Sequence, residues 1–228
     1  MLIPLLLLTG AAAGSYALFP STWRKAVHRL GRGKRKKAGV LYLTFDDGPS
    51  PEATPALLDL LTEHHVPATF FVVAEFAKEN PQLLRRMVEE GHQIGFHSAR
   101  HRSAYCMTPR QTRQDFSQGL AELKKLGITP RYFRPPWGVV NWTSLRQIKG
   151  NHLRPVLWDV MAQDWRGDIT AEEIADRLRR RTWPGAVICL HDGRGAKGAP
   201  YRTIQALKDQ LPRWLEQGYQ FRTIEQNE

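Results

Sequence analysis

From residue 39 onward, short apolar or β-branched runs alternate with longer amphipathic stretches, the pattern of a parallel sheet or barrel wrapped by helices. Seven runs read as strands: Val40–Phe45, Ala68–Val73, Gln93–Phe96, Arg131–Phe133, Pro155–Trp158, Ala186–Leu190 and Tyr219–Thr223. The stretches between them carry helix punctuation. Asn80-Pro81 opens one helix and Gly91 closes it, and Thr108-Pro109 opens another with Phe116, Leu120 and Leu123 on one face. Thr170 with Glu173 forms a capping box, and His64-His65 ends a helix.

Before residue 39 the pattern changes. Residues 1 to 23 contain no charged side chain, and Leu2 to Phe19 is an apolar run interrupted by Pro4, Thr9, Gly10, Gly14 and Ser15. About 20 helical residues cover ~30 Å, enough to span a hydrocarbon core. Ala11-Ala12-Ala13 after Leu2 to Leu8 equally suits removal by a signal peptidase. The expected organisation is therefore a signal peptide or membrane anchor over 1–23, a basic juxtamembrane linker over 24–38 and one domain over 39–228. The basic tract follows the apolar run, where it favours a cytoplasmic C-terminal side, so topology stays open.

Charge sharpens this division. The chain of 228 residues has 33 Lys/Arg against 22 Asp/Glu, a formal charge of +11. Eight of the basic residues and no acid fall within residues 1 to 45, which leaves 25 − 22 = +3 for the remainder. The excess is a local tract and not a nucleic-acid-binding face, so no nucleic-acid partner is expected. Two cysteines, Cys106 and Cys189, exclude a disulfide framework and a cysteine-based zinc site. Any metal must be held by His, Asp or Glu.

Polar clusters follow the strands at one end: Asp46-Asp47 after the first, His97 after the third, Arg134 after the fourth, Asp159 to Trp165 after the fifth and His191-Asp192 after the sixth. In a parallel α/β fold all strand C-termini share a face, so these residues converge. Adjacent carboxylates leaving a strand point in different directions, so one can bind a cation while the other faces a reacting water. Alone, Asp46-Asp47-Gly48-Pro49 also fits an acidic turn. His97 and His101 have the i, i+4 spacing that sets two imidazoles on one side of a helical turn, although two surface histidines read the same way. Asp47, His97 and His101 together make a three-ligand site with an open position.

In these motifs the sequence resembles the polysaccharide deacetylase family, also called carbohydrate esterase family 4 or the nodulation-protein-B homology domain. Five segments carry the resemblance, in the family's order: Thr44 to Pro49, His97 to His101, Arg134-Pro135-Pro136-Trp137-Gly138, Asp159 to Trp165, and Leu190-His191-Asp192. The resemblance implies a distorted (β/α) barrel of about seven parallel strands, with Asp46 as general base and Asp47, His97 and His101 as ligands of a divalent metal. Zn²⁺ is the default ion, with Co²⁺, Mn²⁺ or Ni²⁺ also compatible. It further implies His191 as general acid, Arg134 and Asp164 as partners of base and acid, and Pro136, Trp137, Trp165 and Leu190 around the substrate. Plain core packing is the other reading of Trp165 and Leu190.

The implied activity is deacetylation of an N-acetylated polysaccharide, with a bacterial cell-wall glycan as the substrate and an extracytoplasmic, membrane-associated or secreted location. The alternatives are an esterase acting on O-acetylated glycan, or a noncatalytic glycan-binding protein on the same fold. In the segment between Asp159 and Asp164 the chain reads Val-Met-Ala-Gln, a departure from the family pattern that bears on substrate preference.

Overall fold

The first strand, β1 (Val40–Asp46), is buried at all seven residues, as its nearly continuous apolar run requires of a strand covered on both faces. In the computed structural model, which describes residues 14–31 and 39–225, β1 lies at the centre of a curled parallel sheet. The chain continues through α2 (Thr54–Glu63), β2 (Thr69–Val72), α3 (Ala74–Glu79), α4 (Pro81–Glu89) and β3 (Gln93–Phe96). Then come α5 (Pro109–Lys125), β4 (Tyr132–Phe133), α6 (Trp142–Gly150), β5 (Arg154–Pro155) and β6 (Val160–Met161). The last elements are α7 (Ala171–Arg181), β7 (Val187–His191), α8 (Ala199–Glu216) and β8 (Gln220–Phe221). The strand order is β5-β4-β3-β2-β1-β7-β6, and β8 pairs with the first residues of β1.

The expected helix starts hold. Thr108 and Thr170 each accept a hydrogen bond from the backbone three residues on, and Gln111 and Glu173 reach back in full capping boxes. Such a cap contributes about 1 kcal/mol. Alternation along the strands divides the apolar side chains into two groups. Leu43, Phe45, Ile188 and Leu190 face the helices in the main core, while Tyr42, Phe71, Tyr132 and Val187 form a smaller cluster inside the curl.

The fifth expected strand differs. Instead of pairing over Pro155–Trp158, the chain pairs only at Arg154–Pro155 and re-enters the sheet as Val160–Met161 on the opposite edge. The Val156 N–H bonds the Phe133 carbonyl at 2.9 Å, and the Asp159 N–H bonds the Val187 carbonyl at 2.8 Å. Residues 156–159 therefore bridge the barrel's open seam, and among the described residues no ladder joins β5 to β6. Two-residue strands carry no readable period, which is why β6 escapes a sequence reading.

A helix, α1 (Phe19–Gly31), lies over this seam. The Ser21 hydroxyl donates to the Val140 carbonyl at 2.8 Å and accepts the Val140 N–H at 3.0 Å. Arg24 donates to the Pro155 carbonyl at 3.0 Å, and His28 Nε2 lies 3.0 Å from Asp159 Oδ1. Residues 24 to 31, expected within a linker, are thus part of the folded unit, and His28 has a defined partner. No helix among the described residues is long and apolar enough to cross a membrane. Of the signal peptide or anchor expected over 1–23, residues 14–23 are helical and run into α1, whereas residues 1–13 and the rest of the expected linker at 32–38 lie outside the described residues.

Candidate active site and metal centre

β1 delivers two carboxylates to the C-terminal rim of the sheet, and they part at once. Asp46 points inward, where Arg134 Nη1 donates to its Oδ1 at 2.7 Å and the Cys189 thiol donates to its Oδ2 at 3.3 Å. Arg134 is fully buried, stacked 4.1 Å from the centroid of Phe71, and its Nη1 also reaches Thr44 Oγ1 at 2.7 Å. The Thr44 hydroxyl in turn donates to the Ile188 carbonyl at 2.6 Å. Burial together with the neighbouring Asp46 carboxylate holds the Cys189 thiol well above its ordinary value, so it stays a neutral donor.

Asp47 leaves the strand at φ 73°, and this left-handed step turns its carboxylate toward His97 and His101. Its Oδ1 lies 3.2 Å from His97 Nε2 and 2.8 Å from His101 Nε2. The turn is seated against the loop after β7. A Cβ on Gly193 would fall 2.0 Å from the Asp47 carbonyl oxygen, and one on Gly48 would fall 2.2 Å from Asp192 Oδ2, so neither position admits a side chain. Burial pushes the Asp192 carboxyl up to about 7, and Thr54 Oγ1 donates to it at 2.6 Å.

His97 and His101 do meet, though not across a helical turn. Residues 97–101 form an irregular bend in which Ser98 (φ 78°) and His101 (φ 50°) are left-handed, and Ser98 Oγ accepts the His101 N–H at 2.7 Å. With Trp137 (φ 53°) and Gln163 (φ 62°), strained backbone gathers around this rim, as it does at functional sites.

His97 Nδ1 lies 2.6 Å from the Arg134 carbonyl, which accepts its hydrogen bond and so turns Nε2 toward Asp47. Asp47 Oδ1 is buried and has no hydrogen-bond partner. Burial opposes a charge there, yet the facing imidazoles of His101 and His97 hold the carboxyl well below the usual carboxylate range. One carboxylate oxygen and two imidazole nitrogens converging within 4.8 Å of one another form a donor set that fits a divalent cation. These are the three residues that the sequence offers as a ligand set.

Across the cavity, the Asp164 carboxylate holds His191 by its ring Nδ1 at 2.9 Å and by its backbone N–H at 2.8 Å, while the Thr203 hydroxyl donates to Asp164 at 2.8 Å. Burial alone would lower His191, but the adjacent Asp164 carboxylate prevails and the imidazole is raised to about 9. Its Nε2 is left to face the cavity, a space of about 350 Å³ lined by Asp46, Asp47, His97, His101, Trp137, Trp158, Met161, Trp165, His191 and Gly195. Trp165 packs edge-on to His191 at 5.1 Å, and the exposed Trp137 covers His101 at 4.4 Å.

Two expected substrate contacts are placed elsewhere. Leu190 is fully buried in the helix-side core, because alternation along β7 turns Cys189 and His191 inward and Leu190 outward. Pro136 is buried beneath the turn that carries Trp137. Conversely, Cys189, Thr44 and Thr203 support the site without having been singled out for it. Cys189 stands two residues before His191 on one strand, so the period of two was the available signal.

Comparison with known proteins agrees with this geometry. The family model for polysaccharide deacetylase matches residues 33–156. The chain belongs to the polysaccharide deacetylase family. Among curated relatives, a chitooligosaccharide deacetylase of Sinorhizobium fredii is 35% identical over 213 residues, covering 89% of this chain and 96% of the relative. A crystal structure of a peptidoglycan N-acetylglucosamine deacetylase, in complex with 4-naphthalen-1-yl-N-oxidanyl-benzamide, superposes with a TM-score of 0.78 at 31% identity, covering 84% of this chain and 88% of the other. A family 4 acetyl xylan esterase from Clostridium thermocellum, solved with a cobalt ion, gives a TM-score of 0.74 at 34% identity, covering 82% of this chain and 89% of the other. Within the polysaccharide deacetylase family the fold expected from the sequence, a distorted barrel of parallel strands, is the fold observed.

Proposed function

We propose that this protein hydrolyses the N-acetyl groups of amino sugars in a polysaccharide, a bacterial cell-wall glycan, releasing acetate and leaving free amines. The observation that carries the reading is one cavity in which two differently held proton-transfer groups flank a carboxylate–imidazole cluster: Asp46 braced by Arg134, and His191 braced by Asp164. Relatives named for deacetylation of chitooligosaccharide and of peptidoglycan support the substrate class.

Asp47, His97 and His101 would hold a divalent cation, Zn²⁺ by the preference of this donor set, and when bound it supplies Lewis acidity to the amide carbonyl and acidifies water. Asp46, fixed in orientation by the Arg134 guanidinium, accepts the proton of the attacking water as the carbonyl carbon becomes tetrahedral. The peptide N–H of Trp137 donates to the oxyanion. His191, charged at neutral pH, then gives its Nε2 proton to the departing nitrogen as the C–N bond breaks. Trp137, Trp158, Met161 and Trp165 supply apolar walls for the sugar and the acetyl methyl.

Attachment to a membrane outside the cytoplasm, through the N-terminal segment, belongs to the same proposal. It is supported by Phe19, Trp23, Val27 and Leu30, exposed in a helical stripe along α1 beside Lys25 and Arg29.

The test is product analysis on N-acetylglucosamine oligomers and peptide-free glycan strands. Acetate and free amine appearing in equal amounts are expected. Acetate without new amine would assign ester hydrolysis instead.

A further inference from the structure

A second recess, of about 350 Å³, opens where α1 crosses the seam of the barrel. Lys25 and Arg29 reach it from α1 and Arg181 from the end of α7, and its wall includes Trp158 and Met161, which also line the catalytic cavity. The two spaces are thus neighbours separated by shared side chains. A Cβ on Gly138 would lie 3.1 Å from the Trp158 ring and 3.5 Å from Lys25 Cε. The Lys25 side chain therefore runs beside Trp158 to the turn that presents Trp137.

The one acid in the recess, Asp159, is engaged inward: its Oδ1 faces His28 at 3.0 Å and its Oδ2 accepts the Val187 N–H at 3.0 Å. Lys25, Arg29 and Arg181 form no ion pair with an acid among the described residues. Three such cations around a concave, partly apolar surface attract an anion more strongly than the same charges on an open face. Arg181 is set at the rim by its Nη1 donating to the Met161 carbonyl at 3.1 Å, and the guanidinium groups of Arg29 and Arg181 suit carboxylate or phosphate oxygens.

We infer that this recess is an anion subsite of the enzyme, binding a carboxylate or phosphate carried by a sugar neighbouring the one whose acetamide occupies the catalytic cavity. α1 precedes residue 33, where the match to the family model begins, so the subsite is assembled by a part of this chain outside that match. The identity of the ligand as a glycan rests on the deacetylase reading. Selection among glycans by charge is what the subsite adds.

The test is calorimetric binding at low ionic strength by the metal-loaded full chain carrying Asp46→Asn, so that the probes are bound and not consumed. Three probes are compared: a neutral N-acetylglucosamine tetramer, an alternating N-acetylglucosamine–N-acetylmuramic acid tetramer, and an N-acetylglucosamine tetramer phosphorylated at its reducing end. One anionic probe is expected to bind about tenfold tighter than the neutral one, and which one does so separates carboxylate from phosphate as the natural group. That preference should shrink at about 0.5 M salt and fall toward unity in Lys25→Glu/Arg29→Glu and, independently on another helix, in Arg181→Glu. Equal affinity for all three probes, a preference that survives both charge reversals, or equal weakening toward neutral and anionic probes would overturn the inference. Because binding is read without turnover, a failure to release acetate would remove the deacetylase reading while leaving this result intact.

Discussion

Asp164 holds His191 at two points, one carboxylate oxygen 2.9 Å from the ring Nδ1 and the other accepting the His191 backbone N–H at 2.8 Å. The first contact sets the charge of the imidazole and the second fixes where the ring stands. With His191 raised to about 9, the acid form dominates at neutral pH and activity should fall as pH rises through about 9. Asp164→Asn keeps the shape but removes the strongest raising influence, leaving burial opposed only by the Asp46 and Asp47 carboxylates. The alkaline limb of kcat/KM should then move down from about 9 toward the ordinary imidazole value of 6.5. An unshifted limb would assign that ionisation to another group.

The same pair links pH to stability. His191 has a folded-state value above its unfolded one, so its contribution is fully present below about 6.5 and is lost as pH rises through about 9. Thermal unfolding of wild type across that window should show the loss, and Asp164→Asn should flatten it.

Arg134 and Asp46 form a buried pair 2.7 Å apart, with the arginine fully enclosed. Arg134→Met leaves Asp46 without its cation, and breaking such a pair costs about 3–5 kcal/mol. Denaturant unfolding should register that loss. Asp46→Asn/Arg134→Met, which removes both charges, should recover part of it while remaining inactive.

The metal centre makes a separate prediction. His97→Ala and His101→Ala each delete one of three converging donors, so elemental analysis should find purified variants depleted of the single divalent ion that wild type retains. His191→Ala should retain the ion, because that side chain belongs to the acid and not to the ligand set.

Gly193 tests how tightly the loops must meet. A methyl placed 2.0 Å from the Asp47 carbonyl oxygen has to push the metal-ligating turn aside. Gly193→Ala should therefore lower stability by about 1–3 kcal/mol and weaken metal retention together, read by unfolding and by metal titration.

The chemistry was legible in the sequence because each group stands at a strand end within a distinctive run, and parallel strands bring such ends to one rim. The cluster of Asp47, His97 and His101 was read this way, while the pairs Asp46–Arg134 and His191–Asp164 came from the resemblance to the polysaccharide deacetylase family. Leu190 was misplaced because its motif, taken whole, hides the alternation that turns it away from His191. α1 was hard to read for a different reason: it docks through polar Ser21, Arg24 and His28 and leaves Phe19, Trp23, Val27 and Leu30 exposed. Hydrophobic patterning assigns the apolar stripe inward, and here polar contacts across the seam decide the orientation. β6 was lost because two residues after a proline-containing run give no period to detect.

The central claim is that Asp46 and His191 perform the two proton transfers of amide hydrolysis beside a metal held by other residues. It is tested most directly by acetate release from N-acetylated glycan, using protein stripped of metal, the same protein reloaded, and metal-loaded Asp46→Asn and His191→Ala. The account predicts acetate only from the reloaded wild type, with each variant slowed at least about a hundredfold while keeping its ion. An Asp46→Asn protein that retains metal and releases acetate at the wild-type rate would contradict it.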